Sequence, residues 1–144
     1  MTITNIRHTG IVVTDLDASL RFYRDLLGFK EVKRLEESGS YIDRALALVG
    51  ANITTVKLAA PDGNLIELLY FRTHPRPRPA TPESCRIGIT HMAFTVGNLD
   101  QAYATLSTAG VLFNAPPQHS PDGYAKVTFC RDPDGTLIEL VEVL

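Results

Sequence analysis

The sequence predicts an α+β fold made of two tandem copies of one module, each a strand, a helix and then three or so strands. Three observations carry that expectation. The segment His8-Thr-Gly-Ile-Val-Val-Thr-Asp-Leu-Asp17 is echoed by His91-Met-Ala-Phe-Thr-Val-Gly-Asn-Leu-Asp100, an offset of 83 residues (91 − 8). The segment Pro61-Asp-Gly-Asn-Leu-Ile-Glu-Leu-Leu-Tyr-Phe71 is echoed by Pro133-Asp-Gly-Thr-Leu-Ile-Glu-Leu-Val-Glu-Val143, an offset of 72 (133 − 61). Between the copies, His74-Pro-Arg-Pro-Arg-Pro-Ala-Thr-Pro-Glu83 holds four prolines in ten residues. Such a run feeds neither a helix interior nor a central strand, and reads as an extended, semi-rigid connector. Two copies are too few for a solenoid, so a pair of packed modules is expected.

The elements follow in chain order. Ile6 to Val13 and Ile89 to Val96 read as the first strand of each module. Asp15 or Asp17 can cap the helix that follows in the first copy, and Asn98 or Asp100 in the second, because a short polar side chain accepts from the free N–H groups of a first turn. Leu16, Leu20, Tyr23 and Leu27 form one apolar stripe at helical spacing, as do Leu99, Ala102, Tyr103 and Leu106. Gly28 and Gly110 stand where a left-handed residue ends a helix. Strand-like runs then cover Phe29 to Leu35, Ala45 to Val49, Thr54 to Ala59 and Leu65 to Phe71. In the second copy they cover Val111 to Phe113, Ala125 to Cys130 and Leu137 to Val143. The offsets differ by 11 (83 − 72), so the first copy carries about that many extra residues between its two motifs. A breaker-rich loop, Ala115 to Gly123, reads first as a plain surface loop and second as the rim of a site. The expected organisation is one domain over residues 1–144, with module 1 at about 4–73, the connector at about 74–84 and module 2 at about 85–144.

Bulk properties exclude several classes of function. With 144 residues and 44% apolar content the chain can bury a useful core. A net charge of −2 makes no electrostatic case for nucleic acid or an anionic membrane. No apolar run approaches the roughly 20 residues of a membrane helix, and the first residues show no signal-peptide core, so a cytoplasmic protein is expected. Cys85 and Cys130 make no disulfide framework and read as thiols of a reducing compartment.

Chemistry is concentrated in four residues. Side chains alternate across a strand, so Glu67 shares a face with Leu65, Leu69 and Phe71, while Ile66, Leu68 and Tyr70 fill the other. Glu139 is placed likewise. An ionised carboxylate on such a strand is costly without a cation partner. One glutamate there is ordinarily a surface position, and one strand histidine ordinarily a hydrogen-bonded structural residue. Repetition changes that reading, because each module places one histidine on its first strand and one glutamate on its last. If the modules pack about a pseudo-twofold axis, His8, Glu67, His91 and Glu139 face one point. Two imidazoles and two carboxylates suit a divalent ion of intermediate hardness: Zn, Ni, Co, Mn or Fe.

The chain resembles the vicinal-oxygen-chelate superfamily, the glyoxalase/bleomycin-resistance/extradiol-dioxygenase group, over essentially its whole length. The resemblance rests on His8-Thr-Gly-Ile-Val-Val13, on Leu16-Asp-Ala-Ser-Leu-Arg-Phe-Tyr-Arg-Asp-Leu-Leu-Gly-Phe29, on Ile66-Glu-Leu-Leu69, on His91-Met-Ala-Phe-Thr-Val96 and on Arg131-Asp-Pro-Asp-Gly-Thr-Leu-Ile-Glu-Leu140. It implies two βαβββ modules whose curved sheets form a half-open barrel around a metal. It implies metal ligands at His8, Glu67, His91 and Glu139, the same four residues reached from repetition. The chemistry implied is of the lactoylglutathione lyase (glyoxalase I) type. A substrate chelates through neighbouring oxygens, a proton leaves carbon, and the resulting enediolate is stabilised by the ion. Glu139 is the implied base, with Glu67 as ligand or second acid/base.

Other branches fit less well. An extradiol dioxygenase would want histidine in place of Glu67. A methylmalonyl-CoA epimerase, the first alternative, commonly has glutamine there and a longer segment than Arg131 to Gly135. A thiol transferase of the fosfomycin-resistance kind uses fewer ligands, and a metal-free, drug-sequestering binder predicts loss of the four ligands. The substrate expected is a small molecule with vicinal oxygens, a glutathione or CoA thioester or adduct being the candidates, although Leu68 to Arg72 lacks the asparagine associated with glutathione binding. Arg7 and Arg21 are candidate anion contacts, and Tyr41 to Arg44 and His119 would suit a cleft mouth. An isologous homodimer is the expected assembly, with neither nucleic acid nor membrane as partner.

Overall fold

A computed structural model describes residues 1–75, 85 and 87–144. Most of the predicted connector, residues 76–84, lies outside the described residues. The chain divides into two compact units, Met1–Pro77 and Arg78–Leu144, and each holds one open, four-stranded mixed sheet.

In the first unit β1 (Thr9–Val13) leads into α1 (Leu16–Leu20). Asp15, not Asp17, is the cap: its carboxylate accepts from the Ala18 N–H at 2.9 Å. The helix does not stay regular. Over Arg21–Leu26 it widens to π geometry, and the Leu27 N–H donates to the Phe22 carbonyl, five residues back, at 3.0 Å. The wider turn changes the predicted stripe. Phe22 turns inward beside Leu20 and Tyr23, all three at most 3% exposed, while Leu16 and Leu27 are only half-buried. The chain leaves through Gly28 at φ 81°, and the second unit's helix ends on Gly110 at φ 87°, a backbone region that penalises any Cβ.

Strands β2 (Lys30–Ser38), β3 (Asn52–Ala59) and β4 (Leu65–Phe71) complete the sheet in the order β1-β4-β3-β2. β1 runs parallel to β4 and the other pairs are antiparallel. One face packs Val56, Leu58 and Leu68, all fully buried, and α1 lies against β4.

The predicted strand Ala45–Val49 is not formed. Residues Ser40–Leu46 make a helix, α2. Ile42 is buried there in a cluster with Ala51 and Ile53, against Leu48, Leu69 and Phe71. The short apolar run was ambiguous between strand and helix, and burial of Ile42 on the Leu69 side of the sheet decided it. Helix α2 and its loop account for extra length in the first copy, since the second unit has only a tight turn at the matching place. Asp43 fastens that loop by accepting from the Gly50 and Ala51 N–H groups at 2.9 and 2.8 Å. These bonds hold its carboxyl below the usual aspartate range. The resulting stability is present above the unfolded pKa and is lost as pH falls through the depressed folded one. Asp43→Ala is therefore expected to speed amide exchange over residues 40–51 at neutral pH while β3 and β4 stay protected. Uniformly unchanged exchange would contradict that role.

The second unit repeats the plan more briefly. β5 (His91–Thr95) leads to α3 (Leu99–Thr108), capped by Asn98 through the Gln101 N–H at 2.9 Å. β6 (Gln118–His119), β7 (Ala125–Arg131) and β8 (Leu137–Val143) follow, in the order β5-β8-β7-β6, with β5 parallel to β8. Predicted strand Val111–Phe113 is reduced to a single bridge, Phe113 to Cys130. Leu112 stands 73% exposed, and Pro116 and Pro117 lack the N–H groups that would extend the ladder. The predicted loop Ala115 to Gly123 instead contributes β6. Leu99, Leu106, Ile138 and Leu140 form the core between helix and sheet, each at most 4% exposed.

Cys130 is fully buried, and burial pushes its thiol up to about 11. Cys85 is exposed. Iodoacetamide at pH 8 is expected to alkylate Cys85 alone in the folded protein, and mass spectrometry finding Cys130 modified at a similar rate would contradict this packing. Among the described residues no helix is long and apolar enough to cross a membrane.

Candidate functional site

The register of the two sheets places the four predicted residues in two matched pairs. In the first unit Gly10 lies opposite Glu67 across the parallel β1–β4 pair. In the second, Ala93 lies opposite Glu139 across β5–β8. The histidine stands two residues before the small residue in each case, on the same face because side chains alternate. Gly10 and Ala93 are both small, and the imidazole reaches the carboxylate in each unit. His8 Nε2 is 3.0 Å from Glu67 Oε2, and His91 Nε2 is 3.1 Å from Glu139 Oε2.

That spacing serves either a hydrogen-bonded proton or two neighbouring ligands of one ion. Donor atoms each about 2.1 Å from an ion and about 90° apart are about 3.0 Å from each other. Nitrogen and carboxylate oxygen on partly accessible side chains are the donor types such an ion takes. Each pair therefore fits as half of a divalent-metal site. The fit stops at halves: among the described residues no group of three or more His, Cys, Asp or Glu side chains is gathered closely enough to hold an ion. His8 and Glu67 belong to one compact unit, His91 and Glu139 to the other.

The halves differ in their surroundings. Lys57 lies directly across β3–β4 from Glu67, and its ammonium donates to Glu67 Oε1. Glu67 is thus held at both oxygens, with a side chain 11% exposed. The residue across β7–β8 from Glu139 is Phe129, whose ring meets the His91 ring edge to face at 5.4 Å. No ammonium answers Lys57 there, and Glu139 is more open, at 21%. The histidines differ as well. His91 Nδ1 is 2.7 Å from Thr90 Oγ1, whereas His8 Nδ1 is buried without a partner.

Sequence reasoning passed over Lys57, Phe129 and Thr90, although a signal for the first two exists. The β3–β4 hairpin turns about Asp62, with the Ala60 N–H on the Asn64 carbonyl at 2.9 Å. A hairpin centred there must set residue 57 against residue 67. The matching turn at Asp134 sets 129 against 139. Of the looser candidates, Arg7 and Arg21 are exposed, Tyr41 to Arg44 lie in α2, and His119 is an exposed residue of β6.

Two mixed sheets, each β1-β4-β3-β2 in its own order of elements and each flanked by a helix, define an α+β protein of duplicated modules with a His–Glu pair in each. Over residues 5–140 the chain matches the Glyoxalase/Bleomycin resistance protein/Dioxygenase superfamily, and it belongs to that superfamily. It is 35% identical to the uncharacterized protein YaeR of Escherichia coli over 95% of both chains. It is 34% identical to the lactoylglutathione lyase of Schizosaccharomyces pombe, over 98% of this chain and 48% of that one. The solved structure of a glyoxalase family protein from Bacillus cereus superposes with a TM-score of 0.90 at 24% identity, covering 100% of this chain and 97% of that one. That last likeness concerns the fold.

Proposed function

We propose that the protein is a divalent-metal-dependent lyase or isomerase of the lactoylglutathione lyase type, with His8, Glu67, His91 and Glu139 as metal ligands. The observation that carries the reading is the recurrence of one His–Glu pair at one register position in both modules, in a chain of this superfamily. An ion held by these residues would act as a Lewis acid toward the oxyanion formed when a carbon-bound proton leaves.

The chain's own part is the proton. Glu139 takes it from the carbon next to a carbonyl as the C–H bond breaks and returns it to the neighbouring carbon, while the hydroxyl proton passes to the former carbonyl oxygen, so the net change is an isomerisation. Its place beside Phe129 supports that role. An apolar neighbour and a single imidazole contact leave Glu139 Oε1 available, whereas Lys57 and His8 hold both oxygens of Glu67. A base must be free to reach the proton it takes. The substrate class is a small molecule with neighbouring oxygens, such as the hemithioacetal of methylglyoxal and glutathione. The Schizosaccharomyces pombe relative's name supports a glutathione adduct, and this chain spans about half of that protein.

The test is turnover of that hemithioacetal in deuterium oxide by metal-loaded protein. Product carrying deuterium on the carbon that gained the proton is expected. No turnover of this adduct, nor exchange at the α-carbon of a methylmalonyl thioester, would remove the proton-transfer reading.

A further inference from the structure

Lys57 has no counterpart in the second unit, and its position is specific. It is the residue directly opposite Glu67 in the β3–β4 ladder. Its side chain is 19% exposed, and it makes its ion pair with Glu67 and with no other described residue. Its neighbour across β2–β3 is Lys33, brought into line by a bulge between Glu31 and Lys33 that shifts the register by one residue. A second cation in the same row gives Lys57 no relief, so Glu67 is its counter-ion. The equivalent row of the second unit presents Phe129 to Glu139. One carboxylate of the four-residue set is therefore already neutralised by the chain itself, and the other is not.

We infer that Lys57 is a built-in cation that competes with the divalent ion for Glu67, setting the affinity of the site and sustaining the first unit when no ion is bound. This rests on the metal-site reading above. A divalent ion approaching Glu67 would meet a carboxylate already neutralised by an ammonium, and would meet that ammonium's repulsion as well. The same ammonium keeps Glu67 from standing as an uncompensated charge on a largely apolar strand when the ion is absent. A centre loaded as proposed would carry one more positive charge than two imidazoles, two carboxylates and a dication alone, a balance that would favour a substrate becoming anionic as its proton leaves. Lys57 is a positioning residue, since it acts through Glu67.

The experiment is zinc binding to the full chain, in competition with a chromophoric chelator, for wild type, Lys57→Met and Lys57→Arg. Lys57→Met is expected to bind zinc about tenfold more tightly, and Lys57→Arg, which keeps the charge, to stay near wild type. Thermal melting supplies the second readout. Lys57→Met should melt lower than wild type without metal and regain the difference on adding zinc, whereas a side chain that merely packs would lower both melts alike. If Lys57→Met proves insoluble, Lys57→Gln takes its place in both measurements. Wild type that binds zinc with a Lys57→Met affinity equal or weaker overturns this inference and leaves the metal site standing. Failure of wild type and of every Lys57 variant to bind zinc overturns both.

Discussion

Glu139→Gln is expected to lower turnover of the hemithioacetal by about 10²- to 10⁴-fold, the usual worth of a positioned general base. The amide keeps the size of the side chain and in the metal-free protein still accepts from the His91 ring, 3.1 Å away, so the metal-free fold is expected to stand and its melting temperature to change little. What the amide lacks is the basic lone pair that takes the proton. Deuterium incorporation should fall in step with turnover, because one proton transfer underlies both. Glu67→Gln is a different experiment. It removes the charge that Lys57 pairs with, so it should weaken metal binding and the metal-free fold together. A Glu139→Gln protein with full turnover would take the base from Glu139, and full turnover in both variants would remove the assignment altogether.

Tyr23→Ala is expected to cost about 3–5 kcal/mol of stability. Tyr23 is 0% exposed. It lies edge to face with Phe22 at 4.9 Å and with Phe29 at 6.4 Å between ring centres. The π turn is what sets Phe22 and Tyr23 side by side in the core, so truncation leaves a cavity under a helix turn with little freedom to close over it. For a domain of this size such a loss lowers the melting temperature by about 10 °C or more. Chemical denaturation of the variant checks this directly. A loss under about 1 kcal/mol would mean that the first helix is not anchored through this ring.

The modular plan was legible because repetition, caps and hairpin turns are all local. Asp15 and Asn98 cap as short polar side chains should, Gly28 and Gly110 end their helices in the left-handed region, and the two Asp-Gly turns lead into strands at the predicted places. The departures are tertiary. The π turn at Arg21–Leu26 was hidden because a stripe of 3.6 spacing cannot say that Phe22 will outcompete Leu16 and Leu27 for the core. Helix α2 was hidden because Ala45 to Val49 is a short apolar run, and the choice fell to Ile42 finding Leu69 and Phe71. The repeat put one histidine and one glutamate in each module at matching positions, and the strand register brings each pair together. The difference between the two pairs lay in residues 57 and 129, readable once the hairpin centres at Asp62 and Asp134 are used to set the ladder. A single carboxylate on an apolar strand raises the need for a cation, and in the first unit the chain itself supplies one.

His8, Glu67, His91 and Glu139 are proposed to hold one divalent ion. The most direct measurement is the metal content of protein purified without chelators, loaded in turn with Zn, Ni, Co, Mn or Fe and freed of excess ion. Close to one ion per chain is expected for at least one of these metals, falling to near zero in a His8→Ala, His91→Ala double variant that still folds. No ion retained after loading, or the same content in the double variant, would contradict the account.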